Sequence, residues 1–273
     1  MKKILTSQSR DKKMAERRKS LMMVVWLVVL IIFWELAPRI GLANEYLLPT
    51  FSRTVQEMVN QLFYGTLGVQ VLSSLFLVMV GVVLSVLISV VATFLCIFSR
   101  LFDSLFRALC TIFNPLPGLA VIPLIMMWFG IGTGAMLVLI VHGVIWPLVT
   151  ELLDGYRSVP QVYRDFSKNI GLNAFQETFS VMFFAVMPNF LSGLRIGWGR
   201  AWRALIGAEM VFGMFGDYGG IGYYIYYQRS FANIPRMMAG VLVIVIMGII
   251  VEHLGFRLLE KATIEKWGMS NAK

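Results

Sequence analysis

The sequence predicts an all-α membrane protein with six transmembrane helices, an interfacial helix on the outer side and a folded loop on the cytoplasmic side. Of its 273 residues, 58% are hydrophobic and only 14% are charged, whereas a soluble domain carries about 25% charged residues. Long stretches carry no charge, and a membrane-spanning helix needs about 20 apolar residues. Lysine and arginine are concentrated in alternate connecting segments, as the topology of a multi-span protein requires.

The uncharged stretches place the six spans in order. The first span begins at Leu21 and continues to about residue 40, and the second covers residues 69–98. Residues 108–150 contain no Asp, Glu, Lys or Arg over 43 positions, which is too long for one crossing. The run Gly130-Ile131-Gly132-Thr133-Gly134 divides this stretch into spans three and four. The fifth span covers residues 183–212 and carries charges, and the sixth covers residues 236–258.

The distribution of basic residues gives the orientation. With the N-terminus inside, the cytoplasmic segments hold 17 Lys and Arg residues and the outer segments hold 4. The positive-inside rule therefore places both termini in the cytoplasm. Residues 1–20 hold eight basic residues, which we interpret as a cytoplasmic tail held against anionic lipid, with no nucleic-acid partner. Residues 21–268 then form the transmembrane domain, and residues 269–273 form a C-terminal tail.

A cleaved signal peptide is the competing interpretation of the first 43 residues. The sequence Gly41-Leu42-Ala43 resembles a small-x-small cleavage site. However, Glu35, Pro38 and Arg39 separate that site from the apolar stretch. The sequence therefore favours an uncleaved first span.

Two outer segments have patterns of their own. In residues 51–63, apolar side chains recur on one helical face and polar side chains on the other, which predicts a helix lying in the outer interface. The apolar face consists of Phe51, Val55, Met58, Val59, Leu62 and Phe63. Before span six, a glycine-rich loop precedes four tyrosines, which we interpret as an aromatic belt at headgroup depth: Tyr223, Tyr224, Tyr226 and Tyr227.

The cytoplasmic loop, residues 154–182, is predicted to contain two short helices. Ser158 is the predicted N-cap of the first helix, with Gln161 at its third position. Gly171 is predicted to end that helix by adopting a positive φ. Asn173 and Gln176 are predicted to cap the second helix. The aromatic residues of this loop either pack back on the bundle or bind a partner.

The order of several motifs resembles one family. These motifs are Leu48-Pro49, Asn114-Pro115-Leu116-Pro117, Trp128-Phe129-Gly130-Ile131-Gly132, Ser158-Val159-Pro160, Asp165-Phe166-Ser167, Gly171, Pro188, Leu191-Ser192-Gly193-Leu194-Arg195, Gly199-Arg200-Ala201-Trp202 and Ala208-Glu209-Met210. Over about residues 25–267, the chain resembles the ABC importer permeases of the nitrate, sulfonate and taurine type.

The resemblance implies a coupling helix in the cytoplasmic loop. In that family, a Glu-Ala-Ala motif in this loop inserts into a groove of the ATPase subunit. Aligned on Gly171, the motif positions hold Asp165, Phe166 and Ser167, so the acidic residue is conserved in type and both alanines are replaced. The usual first proline after the motif is replaced by Phe184. The residues implied in ATPase coupling are Tyr163, Asp165, Phe166, Ser167, Gly171, Leu172 and Phe175.

The resemblance also implies the partners and the location. It predicts a subunit of the bacterial inner membrane that works with cytoplasmic ABC ATPase subunits and an extracytoplasmic solute-binding protein. A second permease subunit, identical or different, would complete the path. The solute would be small and anionic or polar, such as a sulfonate, taurine or nitrate.

Charges in span five are the candidates for the translocation path, because ionisable groups at membrane depth are costly. Arg203 and Glu209 are six residues apart, about 9 Å along a helix, and do not share a face. These charges either form ion pairs to other helices or line a path. The prolines of span three likewise either kink the helix or line a cavity. The predicted path residues are Asn114, Pro117, Trp202, Arg203 and Glu209.

Several activities are excluded by what the sequence lacks. No Gly-Lys dipeptide occurs, so the chain has no Walker A loop and is not itself the ATPase. ATP would be bound by a partner, and we predict no cofactor and no metal site. Cys96 and Cys110 form no CxxC motif, and we expect His142 and His253 to have structural roles. The alternative to a permease subunit is a stand-alone secondary transporter or channel that uses Arg203 and Glu209 directly.

Overall fold

The computed structural model describes residues 2–214, 216 and 218–268, and all regular elements in them are helical. In chain order these are α1 (Lys2–Arg39), α2 (Phe51–Phe63), α3 (Leu67–Phe98), α4 (Arg100–Phe113), α5 (Gly118–Phe129), α6 (Thr133–Ser158), α7 (Gln161–Asn169), α8 (Ala174–Glu177), a π-helical turn (Thr178–Met182), α9 (Phe183–Phe212), α10 (Ile221–Ser230), α11 (Ile234–Ile250), a second π-helical turn (Val251–Phe256), α12 (Arg257–Glu260) and a third π-helical turn (Lys261–Glu265).

Five helical stretches in the described residues are long and apolar enough to cross a membrane, and α4 with α5 makes a sixth if that pair counts as one span. This confirms the predicted all-α membrane fold. The third span differs from the prediction because α4 and α5 meet at an angle of 108°. Pro115 and Pro117 lie in the break, where proline cannot donate the backbone hydrogen bond that a continuous helix requires.

The centre of the bundle is the antiparallel pair of α6 and α9. Small residues let the two helices approach closely. A Cβ on Gly197 would lie 2.9 Å from Val144 Cγ1, and a Cβ on Gly155 would lie 2.7 Å from Asn189 Cβ. Val144 is completely buried at this contact. Helix α3 packs on the same pair and completes the core.

Helix α1 contacts the rest of the chain mainly near its C-terminal end. Trp34 Nε1 donates to the carbonyl of Pro49 at 3.0 Å, and Glu35 accepts from the backbone N–H of Ser52 at 2.9 Å. The apolar side chains from 21 to 33 are exposed, which suits contact with lipid. The basic tail continues α1, but its side chains other than Arg18 lie outside the described residues, as do residues 269–273.

Of the two segments predicted to lie on the outer side, one differs from the prediction. Helix α2 forms where predicted and packs on α3 and α11, and Val59 and Phe63 of its predicted apolar face are 43% and 77% exposed, which suits contact with lipid. The tyrosines lie on helix α10 rather than on a loop. Tyr224 is buried in the core, so its assignment to a headgroup belt is wrong. Burial raises the pKa of the Tyr224 hydroxyl above its ordinary value.

Helical structure extends from both sides into the loop predicted to be cytoplasmic, residues 154–182. Helix α6 continues to Ser158, whose hydroxyl donates to the carbonyl of Gly155, so Ser158 is not the N-cap of α7. Asn173 and Gln176 do form the predicted capping box. The helix that they open is not separate, because it continues through the π-helical turn to Phe212. The connection between the two long helices therefore consists of residues 159–173.

Candidate functional site

A polar cavity lies where the break between α4 and α5 faces α6 and α9. Its volume is about 410 Å³, and it is open on one side. The break brings non-helical backbone to the cavity, and such backbone is tolerated at membrane depth where it lines a cavity. The lining consists of residues 113–119 of the break, His142, Gly143 and Trp146 of α6, and Arg200, Arg203 and Ala204 of α9. We call this cavity the chamber.

Arg200 connects α9 to the break. Its Nη1 donates to the side-chain oxygen of Asn114 at 2.6 Å and to the Asn114 carbonyl at 3.1 Å. That carbonyl lies at the C-terminal end of α4, where helical carbonyls lack intrahelical partners. Arg203 lies one turn further along α9, is exposed, and lines the same chamber. One wall of the chamber therefore carries two guanidinium groups.

His142 lies on the α6 side of the chamber. Its ring is 6.2 Å from the ring of Phe113 and 6.2 Å from the ring of Trp146, with edge-to-face geometry at both. Neither ring nitrogen has a hydrogen-bond partner in the part of the chain that the structure describes. The imidazole therefore borders the chamber beside the two arginines while both of its ring nitrogens are buried, a position that the sequence did not predict.

The predicted path residues fall into two groups. Asn114, Pro117 and Arg203 line the chamber. Trp202 does not, because it is buried against Trp198 with the two rings stacked 6.1 Å apart. Glu209 does not either, because it is 1% exposed and lies in a separate polar cluster.

The Glu209 cluster joins three helices. The Glu209 carboxylate accepts from the Ser74 hydroxyl of α3 at 2.6 Å and from the backbone N–H of Gly222 in α10 at 2.8 Å. The Ser74 oxygen accepts in turn from the backbone N–H of Ile221 at 2.9 Å. The carboxylate therefore satisfies the N-terminus of α10 and fixes it against α3 and α9.

Arg195, near the other end of α9, forms ion pairs with another helix. Its Nε is 3.0 Å from Glu252 and its Nη2 is 2.9 Å from Glu260. Its guanidinium carbon lies 5.3 Å from the centre of the Phe256 ring. Of the two alternatives for the charges of span five, the ion pair therefore describes Arg195.

The residues predicted to couple to an ATPase lie on or after α7. Tyr163, Asp165 and Phe166 are exposed. Ser167 is buried, and its hydroxyl donates to the carbonyl of Tyr163 at 2.9 Å. Asp165 accepts from the side-chain amide of Gln161 at 3.0 Å. The exposed face of α7 thus combines two aromatic rings with a carboxylate.

The segment after α7 turns back toward the bundle. Gly171 has a φ of +74° and is exposed, and the backbone N–H of Leu172 donates to the carbonyl of Ser167. Phe175 packs against Phe179 and Phe94, with ring centres 4.6 Å and 6.0 Å apart. Phe175 is therefore partly engaged by the bundle, in contrast to the free aromatic face of α7.

The described residues contain no cluster of three or more His, Cys, Asp or Glu that could hold a metal ion. Comparison with known proteins identifies the family. Residues 81–262 match the family described as the binding-protein-dependent transport system inner membrane component. The chain belongs to this family. The matched residues include the chamber, α7, and Glu209 with Gly222, whereas Ser74 of the Glu209 cluster precedes the matched range.

Individual relatives agree with this assignment. The chain is 27% identical over 235 residues to a putative ABC transporter permease protein of Methanocaldococcus jannaschii, covering 84% of this chain and 86% of that protein. It is 26% identical to a putative aliphatic sulfonates transport permease protein of Bacillus subtilis, covering 88% and 84%. It is 32% identical over 150 residues to the taurine transport system permease protein of Escherichia coli, covering 55% and 53%.

The family defines the role of the chain. It is a multi-pass permease subunit of a binding-protein-dependent ABC importer, and a separate subunit hydrolyses the ATP. This membership replaces the alternative of a stand-alone secondary transporter or channel.

Proposed function

We propose that this permease subunit conducts a small anionic solute through the chamber. The observation that carries the proposal is the charge of the chamber lining. Arg200 and Arg203 both contribute to it, and none of the described lining residues is acidic. A guanidinium group at membrane depth without a carboxylate partner favours an anion, above all an oxyanion that can accept two parallel hydrogen bonds.

The relatives support the same class of solute. They include permeases named for the transport of taurine, aliphatic sulfonates and nitrate. The Asn114 side chain adds a neutral hydrogen-bonding group to the two positive charges. In our proposal, the arginines attract the anion, and the Asn114 amide orients it during passage.

The open side of the chamber requires a second permease subunit in this proposal. The wall described here comes from α4, α5, α6 and α9 of one chain, and a path through the membrane must be enclosed on all sides. A second subunit, either a copy of this chain or a different permease, would supply the remaining wall. An extracytoplasmic binding protein would deliver solute from one side, and ATPase subunits would bind α7 on the other.

We further propose that α7 and both chain ends face the cytoplasm of a bacterial cell. The excess of basic residues in the segments on that side supports this orientation. The exposed ring of Phe166 is 56% accessible and suits insertion into a groove of the ATPase. ATP binding would then shift the complex between two states of access.

The chamber proposal is tested by uptake into vesicles that contain the complete importer with its own binding protein. Labelled nitrate and labelled taurine serve as the probes. Replacing Arg200 with Met should lower the uptake of the transported anion about ten- to a hundred-fold, because a charge-assisted contact is lost. Arg200→Lys should retain part of the uptake.

The control is Arg53→Met, because Arg53 is an exposed residue far from the chamber whose partner, Glu45, is also exposed. This variant should transport normally. Each variant is checked for co-purification of the ATPase. Normal uptake by the double variant R200M/R203M, in a complex that retains its ATPase, would contradict the chamber proposal.

A further inference from the structure

The connection between α6 and α7 is short and lacks helical hydrogen bonds. Helix α6 ends at Ser158 and α7 begins at Gln161. Val159 and Pro160 between them are extended, with ψ values of 124° and 142°. Helix α7 also makes few contacts with the other helices. Buried Val159 anchors the connection in the core, and few contacts beyond it hold α7 against the bundle.

One side chain bridges this connection. Arg164, in the first half of α7, donates from Nη2 to the carbonyl of Tyr156 at 3.0 Å. Its Nη1 lies 3.4 Å from the Tyr156 hydroxyl, and its guanidinium carbon lies 4.7 Å from the centre of the Tyr156 ring. Both side chains are half-buried. One residue at the end of α6 thus receives three interactions from one residue of α7.

These interactions have a physical basis that is specific to arginine. The Tyr156 carbonyl belongs to the last turn of α6, where carbonyls lack an intrahelical donor. The planar guanidinium can satisfy that carbonyl and lie over an aromatic ring at the same time. A lysine ammonium is a compact charge without the planar fork, and it cannot reproduce both contacts.

Helix α6 leads directly from Tyr156 to the chamber. Trp146 and His142 lie ten and fourteen residues before Tyr156 on the same helix, about 15 Å and 21 Å along its axis. Pro147 removes one helical hydrogen bond within this length, and the close packing of α9 supports α6 on both sides of it. Tyr156 and the wall of the chamber thus lie on one helix that is packed along its length.

We propose that Arg164 is a positioning residue that fastens α7 to α6, so that movement of α7 by the ATPase moves the chamber wall. This inference rests on the proposed binding of the ATPase to α7. Arg164 would transmit the movement of α7 to α6 rather than bind the ATPase. Its guanidinium group points back to Tyr156, whereas Tyr163 and Phe166 are exposed.

The test measures uptake and ATP hydrolysis in the same vesicles, with the complete importer reconstituted. Arg164→Met should co-purify with its ATPase, but the amount of anion transported per ATP hydrolysed should fall about tenfold, a typical size for the loss of coupling between two sites. Tyr156→Leu should have a similar effect because it removes the ring. Arg164→Lys should also be impaired.

Tyr156→Phe is the matched control. It retains the ring and the backbone carbonyl and removes only the 3.4 Å contact of the hydroxyl. Its transport per ATP should stay within about twofold of the wild type. The double variant R164M/Y156L should be no worse than either single variant, because both remove the same interaction.

Three results would overturn the inference. These are an unchanged ratio of transport to hydrolysis in R164M, loss of the ATPase from purified R164M, and additive losses in the double variant. Failure of the underlying docking proposal has a different signature. In that case Phe166→Ala and Tyr163→Ala would retain the ATPase and transport normally, whatever the result for R164M. Thermal unfolding of each variant in detergent identifies any that fail to fold.

Discussion

Glu209 is the only buried charged side chain in the part of the chain that the structure describes. Its carboxylate has no cationic partner there and is satisfied by a hydroxyl and a backbone N–H. Ser74 is 135 residues from Glu209 in the sequence, whereas Gly222 is only 13 residues from it. The position of α10 therefore depends on a few hydrogen bonds in a site without water access, where unsatisfied polar groups are costly.

Removing this carboxylate should destabilise the bundle. Glu209→Ala leaves the Ser74 hydroxyl and the Gly222 N–H without their acceptor. The expected loss is about 2–3 kcal/mol of the free energy of unfolding, since two buried donors are left without an acceptor. Thermal unfolding of the purified subunit in detergent measures this loss as a lower midpoint.

A surface carboxylate gives the comparison. Glu45 forms a 3.7 Å ion pair with Arg53, and both side chains are more than half exposed. Glu45→Gln should change stability by about 1 kcal/mol or less. Equal midpoints for the two variants would show that the Glu209 cluster does not hold α10 in place.

The charged residues of α9 show what sequence can predict at this scale. The presence of charged residues in a span identified them as functional candidates. Their contact partners, however, depend on how α9 packs against the other helices. Arg200 and Arg203 are three residues apart and share a face, a spacing that was visible in the sequence. The roles of Glu209 and His142 depend on neighbours from distant segments, and no local pattern specifies those.

At the scale of elements, the contact between α6 and α9 depends on glycine. A Cβ at position 197 would lie 2.9 Å from Val144 Cγ1 and 3.2 Å from its Cα. Gly197→Ala should therefore separate the helices or strain them, at a cost of about 1–3 kcal/mol in stability. The same thermal assay in detergent measures the effect.

Gly248 of α11 is the matched control. A Cβ there would meet no atom within 4 Å in the described chain. Gly248→Ala should be neutral or stabilising by up to about 1 kcal/mol, because alanine favours the helix. If the two variants had the same stability, close packing of α6 on α9 would not be important.

Gly171 gives a prediction about the loop after α7. Its φ of +74° is accessible to glycine and, at lower cost, to asparagine, but a β-branched residue is strained there by about 1–3 kcal/mol. Gly171→Val should reduce co-purification of the ATPase while the bundle stays folded. Gly171→Asn should retain the ATPase. Full retention and normal transport in Gly171→Val would contradict the coupling role of this turn.

Helix positions could be predicted where one sequence pattern dominates. They could not be predicted where tertiary contacts determine where a helix ends. Absence of charge identified the long helices, and the Asn173–Gln176 pattern identified a helix start. Ser158 suits either the last turn of one helix or the first of the next, and packing of α6 decided the outcome. The prolines of span three indicated an irregularity, but not the 108° bend.

At the scale of the whole molecule, the orientation can be measured directly. After Cys96 and Cys110 are replaced by Ala, single cysteines are introduced at two exposed positions, Asn169 and Tyr64. In intact cells, a membrane-impermeant thiol reagent should label Tyr64→Cys but label Asn169→Cys only after permeabilisation. Reversed labelling would contradict the orientation that the basic residues predict.

Dependence on partners is the second prediction at this scale. Because the chain lacks a nucleotide-binding loop, the subunit alone should carry no nitrate or taurine into vesicles, with or without an ion gradient. The complete importer should transport these solutes when ATP is supplied on the side of the membrane where the ATPase subunits lie. Uptake by the isolated subunit under an ion gradient would contradict an ATP-driven mechanism.

The contact between α6 and α9 also limits how this protein can change shape. Helices α6 and α9 pack so closely at Gly155 and Gly197 that we expect the pair to move as one body. The chain enters α6 through Gly130 and leaves α9 through Gly213, both with positive φ and both at the end away from α7. Glycine thus has two opposite roles in one subunit. Along the contact it allows close packing of the two helices, and at the end away from α7 it allows the backbone to turn.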